Sequence, residues 1–117
     1  MSDLVATTHF RNLNDTGVNV TNGIARVSKI VITNTVTATT VFVQLFDTAA
    51  ASVTLGTTRP AITVHVSGAA ATVGGTVTLD FEGDPWSIQT RLSVFATTTA
   101  EGNTGAAAGV FLSAFVN

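Results

Sequence analysis

Apolar and polar residues alternate with a period of two along this chain, in runs of about six to nine residues separated by Gly, Asn, Asp, Pro or small-residue clusters. The clearest runs are Ile24 to Thr33, Val41 to Asp47, Ala61 to Ser67, Thr76 to Phe81, Ile88 to Thr97 and Val110 to Val116. Helical periodicity is hard to find. One or two further strands are expected before residue 24 and near Ser52 to Leu55. The pattern therefore predicts an all-β fold, a single antiparallel β-sandwich of about seven or eight strands, jelly-roll-like. Residues 1–23 carry weak strand signals and read as an amino-terminal arm or edge strand, leaving 24–117 as the sandwich domain.

Turn residues mark several boundaries. Gly74-Gly75 precedes TVTLDF and Gly83-Asp84-Pro85 follows it, supplying positive-φ freedom on one side and a turn-forming pair on the other. Within that strand Val77, Leu79 and Phe81 are expected to face inward, with Thr76, Thr78 and Asp80 outward. The same alternation puts Ile62, Val64 and Val66 inside and Thr63 and His65 outside.

Two runs break this one-sided rule. In VFVQLFD, Val41, Val43 and Leu45 share one face, while Phe42 and Phe46 share the other with Gln44 between them. In VFLSAFV, Val110, Leu112, Ala114 and Val116 oppose Phe111, Ser113 and Phe115. The phenylalanines could be the true core, could be covered by a loop or arm of the same chain, or could meet another subunit. Burying one phenylalanine is worth about 1.5–3 kcal/mol, and several left exposed together would form the kind of apolar patch that marks an interface.

Composition narrows the classes. Hydrophobic residues make up 45% of the 117 residues and charged residues only 10%, against roughly 25% charged in typical soluble domains. Such a surface is rich in hydroxyls or covered by partners, and threonine is the commonest polar residue here. Five cationic and seven acidic residues give a net charge of -2, so no basic stripe is available for a row of phosphates and nucleic acid is not an expected partner. The absence of cysteine excludes disulfides and thiolate metal sites. No run approaches the ~18 apolar residues of a membrane span and MSDLVATTHFRNLND has no signal-peptide pattern, so no membrane partner is expected and folding is expected in a cytoplasm.

Candidate chemistry is sparse. Asp80, Glu82 and Asp84 alternate like the opening of a calcium loop, but no glycine-centred loop with a terminal glutamate follows, which favours a solvated turn. His9 and His65 lie far apart without zinc-site spacing, and no GxSxG elbow is present. Trp86 beside Pro85 reads either as a sugar-stacking residue or, more simply, as a plug closing one end of the sandwich. No enzyme activity, metal or cofactor is expected.

The central chain also carries a recurring order of strands and turns. Ile32-Thr33-Asn34-Thr35 is followed by Val41 to Asp47, then Gly56-Thr57-Thr58-Arg59-Pro60, the valine-rich Ile62 to Val66, and Gly74 to Phe81. Over roughly residues 26 to 96 this resembles small β-rich virion proteins of tailed bacteriophages, in which VTNT, YVKLYD, a G-T-x-x-P turn and GGTVTLDF follow one another. Phe42 and Phe46 around Gln44 stand where that pattern has tyrosines around a lysine, which suits a dry contact. The resemblance implies a virion protein on the capsid surface, made in the host cytoplasm, acting as a capsid decoration or cement protein. It implies two partners, other copies of itself (a homotrimer first, a homodimer second) and the major capsid protein. The expected subunit interface is Phe42, Gln44, Phe46, Phe111 and Phe115. The expected capsid contact is made by residues 2–13, with Leu4, Val5, His9, Phe10 and Arg11, and by the loop 98–109, with Asn103. The alternative is a tail, baseplate or fibre component binding a receptor or glycan through Trp86 and the same loop.

Overall fold

The computed structural model describes residues 6–35, 40–67, 75–81, 83–100, 102–105 and 109–116. Among these residues nine strands follow one another: β1 (Ala6–Phe10), β2 (Val18–Asn19), β3 (Ala25–Asn34), β4 (Val41–Asp47), β5 (Ile62–Val66), β6 (Gly75–Asp80), β7 (Trp86–Ile88), β8 (Leu92–Thr97) and β9 (Val110–Val116). They form two antiparallel sheets packed face to face. Sheet A runs in the order β1-β9-β3-β6, with β7 also on β3, and sheet B runs β2-β8-β4-β5.

The pairings are nested. β4 pairs β5, β3 pairs β6 and β7, β2 pairs β8, and β1 pairs β9. The chain thus behaves as one long folded-back ribbon, and wrapping it so that β3 meets β9 and β4 meets β8 closes a jelly-roll sandwich. β6 and β7 lie end to end along one edge of β3, opposite Lys29–Asn34 and Ala25–Val27 respectively. A bulge at Ser28 marks the join, where the Phe81 amide donates to the Ser28 carbonyl at 2.8 Å.

The core lies between the sheets and is almost entirely aliphatic. Val27, Ile30, Ile32, Ile88, Val110, Leu112 and Ala114 from sheet A meet Val41, Val43, Leu45, Val64, Val66, Leu92, Val94 and Ala96 from sheet B. In β4 and β9 the inward face is therefore the valine and leucine face. β5 and β6 follow the expected alternation: Val64 and Val66 are buried, Val77 and Leu79 pack on the core, and Thr63, His65, Thr76, Thr78 and Asp80 are exposed. Asn34 is fully buried at the end of β3, and its Nδ2 donates to the carbonyls of Val66 (3.3 Å) and Ser67 (3.2 Å), stitching the two sheets together.

The run Ile88 to Thr97 is two strands rather than one. The Asp47 carboxylate, at the end of β4, accepts from the backbone amides of Gln89 (2.8 Å), Thr90 (2.8 Å) and Arg91 (3.3 Å), holding a turn that sends β8 into the other sheet. Residues 6–20 are integrated into the sandwich, since β1 is an edge of sheet A, β2 is an edge of sheet B, and Leu13 belongs to the core.

Candidate interaction surface

The two outer faces of the sandwich differ in what covers them. On sheet B, Phe42, Gln44 and Phe46 of β4 sit beside Phe95 and Thr97 of β8. Phe46 is 1% exposed and Phe95 4%, and their rings meet edge-on with centroids 5.5 Å apart. The cover comes from connecting segments of the same chain. A Cβ added at Gly17 would collide with the Phe95 ring, so the backbone there lies directly on the aromatic. The Ala96 amide donates to the Asn14 carbonyl at 2.9 Å, and Thr97 bridges to Gly105. Gln44 is fully buried, and its Nε2 donates to Thr97 Oγ1 (2.8 Å) and the Gly102 carbonyl (3.2 Å) while its Oε1 has no partner among the described residues.

This geometry corrects the expected subunit interface. Gln44 and Phe46 are enclosed by their own chain and present no surface to another copy. Phe42 is half-buried and stacks on His65, with centroids 5.2 Å apart and ring planes 23° apart. Phe111 and Phe115 alternate with the buried residues of β9 and so lie on the outer face of sheet A, across the thickness of the sandwich. The five residues do not form one surface.

On the outer face of sheet A, strand register places His9, Ser113, Val31 and Thr78 in one row across β1, β9, β3 and β6. Phe111, Thr33 and Thr76 occupy a second, and Phe115, Lys29 and Asp80 a third. Lys29 Nζ stands 5.6 Å from the centre of the Phe115 ring, a cation–π contact. At the end of β1 and the start of β9 lies an open cleft of about 690 Å³, lined by His9, Phe10, Arg11, Thr33, Phe111 and Ser113 among others. His9 Nδ1 and Ser113 Oγ are 2.7 Å apart, a hydrogen bond whose donor depends on the imidazole tautomer. Among the described residues, no carboxylate lines this cleft. Phe111 is 38% exposed and, with Ile24, one of two large hydrophobic side chains that stand out into solvent among them.

The cleft thus brings together three of the residues expected to touch a capsid, His9, Phe10 and Arg11, with one of those expected between copies, Phe111. Asn103 lies elsewhere, next to Gly56 in the loop over sheet B. Leu4 and Val5 fall outside the described residues, as does Glu82 of the acidic alternation. No group of three metal-ligating side chains occurs among the described residues. Trp86 is half-buried against the core, its ring 6.0 Å from that of Phe81, as a plug would be.

Thr33 and Ser113 were not singled out by sequence reasoning. Their outward alternation was readable, but their juxtaposition with His9 and Arg11 depends on a β1–β9 pairing between residues about a hundred positions apart. Neither a family model nor a curated protein sequence matches the chain.

Proposed function

We propose that this protein acts by assembly, as a non-enzymatic decoration or cement protein that coats the head of a tailed bacteriophage. It binds the major capsid protein lattice and other copies of itself, in a trimer before a dimer. The observation that carries this reading is the outer face of sheet A, where exposed Phe111 and half-buried Val31 and Phe115 stand among threonines and serine with few charges. Such a face suits a partly apolar, hydroxyl-rich contact repeated over a lattice, where avidity makes modest individual contacts hold firmly. Jelly rolls recur in viral capsid domains, a likeness of fold that raises the expectation without assigning a role.

The test is reconstitution. Purified protein added to capsids that lack it is expected to cosediment with them and to appear by electron microscopy at fixed lattice positions. Failure to bind capsids refutes the reading. Density on the tail or fibre of virions, or a glycan-array signal lost in Trp86→Ala, would replace it with the receptor-binding role.

A further inference from the structure

The cleft on sheet A differs in charge from the molecule that carries it. The whole chain is acidic by two charges, yet the ionisable groups lining the cleft are Arg11 and His9. They flank the exposed ring of Phe111, and the hydroxyls of Ser113 and Thr33 lie beside them. A guanidinium presents paired N–H donors that match a carboxylate, and an aromatic floor next to it favours an apolar side chain.

The cleft also adjoins a sheet edge. β1 ends the order of sheet A, so the side of Ala6–Phe10 away from β9 faces no strand of that sheet among the described residues. An edge of this kind can accept one more strand through backbone hydrogen bonds, while alternate side chains of that strand fall on one face. A strand added here would lay its outward side chains beside His9 and Arg11. Residues two apart on it would reach the cleft together.

We infer that the β1 edge and the cleft form a docking site for an extended acidic segment of a protein partner, one carrying a carboxylate and a large apolar side chain two positions apart. The carboxylate meets Arg11, the apolar side chain lies on Phe111, and backbone pairing along Ala6–Phe10 sets the register. Charge complementarity selects the occupant, since a basic segment would meet Arg11 unfavourably and a neutral one would leave it unpaired. The inference rests on the reading that the protein works by assembly, and it names the chemistry by which its partner is recognised.

The probe is a set of fluorescein-labelled ten-residue peptides of serine and threonine with a central Phe-x-Asp, Phe-x-Asn or Phe-x-Lys, measured by anisotropy against the full 117-residue chain. The Asp peptide is expected to bind about tenfold more tightly than the Asn peptide, with the Lys peptide weakest, and to weaken as salt rises. Amide chemical shifts should move along Ala6–Phe10 and Phe111–Ser113. Arg11→Glu, a change at an exposed residue, should reverse the order of the Asp and Lys peptides with an unchanged circular dichroism spectrum. Methylating the backbone nitrogens on one edge of the peptide should abolish binding, whereas methylating the other edge should not. Equal binding of all three peptides, no binding, shifts confined to another face, or indifference to Arg11→Glu would each overturn the inference. Self-association through this face that the Asp peptide does not displace would also overturn it, in favour of a second copy. Wild-type and Arg11→Glu protein binding capsids equally well would refute this site while leaving the decoration role intact. Peptide binding without capsid binding would do the reverse.

Discussion

Alanine at position 46 separates a core phenylalanine from one held for a partner. Phe46 is 1% exposed, its ring meets Phe95 edge-on at 5.5 Å, and the segment that covers this pair is fastened by hydrogen bonds from Gln44 and Ala96. Truncating a fully buried phenylalanine typically costs about 3–5 kcal/mol, of which the aromatic pair supplies roughly 0.5–1.5. The fastened cover cannot collapse freely into the space, which keeps the expected loss within that range. Phe111 is 38% exposed, so Phe111→Ala should cost only about 1–2 kcal/mol. Urea unfolding followed by circular dichroism should therefore separate the two variants by at least ~1 kcal/mol. For a domain of this size that corresponds to a fall in Tm of roughly 10–20 °C for Phe46→Ala and only a few degrees for Phe111→Ala. Sedimentation velocity on the same samples supplies the contrast. If Phe46→Ala unfolds at the wild-type midpoint and changes the sedimentation coefficient instead, Phe46 belongs to a subunit contact and the argument from its burial fails.

Two further predictions concern backbone geometry. Asp47→Ala removes the acceptor of three amides in the 89–91 turn; a loss of about 1–3 kcal/mol is expected because most of this site is solvent-accessible, with faster amide exchange at Gln89, Thr90 and Arg91 as the local readout. Asp47→Asn should retain part of that stability. Gly17→Ala drives a methyl group into the Phe95 ring and should cost about 1–3 kcal/mol, whereas Gly83→Ala, where a Cβ meets nothing within 4 Å, should stay within about 0.5 kcal/mol of wild type. Equal effects of the two glycine variants in a urea titration would contradict the placement of Gly17 against the aromatic.

The strands with one polar face were legible because their alternation states directly which side is wet, as in Gly75–Asp80 and Ile62–Val66. VFVQLFD announced two apolar faces but not what would cover the second. Its cover comes from residues 14–17, 98–100 and 102–105, which are polar or small and without periodicity, and the nearest sequence signal was Gly17, whose missing side chain admits the Phe95 ring. The break within Ile88 to Thr97 was hidden for a similar reason, because the group that holds the turn is a carboxylate over forty positions upstream. The expected interface joined Phe42 and Phe46 to Phe111 and Phe115 by their likeness in pattern. Alternation assigns a side chain to a face of its own strand, and only the topology tells which sheet, and so which side of the molecule, that face belongs to.

The nested pairing has a consequence for synthesis. β9, which follows the other eight described strands along the chain, separates β1 from β3 and supplies a partner to both. While the chain is being translated, β4 can pair with β5 and β3 with β6 and β7 as each emerges, but β1 has no partner in sheet A until residues 110–116 leave the ribosome. β1 must wait for about a hundred further residues with both edges open, a state exposed to mispairing with neighbouring nascent chains. Closing a contact across more than a hundred residues also places this fold among slow folders, since the longest loops are closed before the final contacts reward them. A ribosome that stops short of β9 therefore releases a chain in which β4–β5 and β3–β6 can pair while β1 has no neighbour.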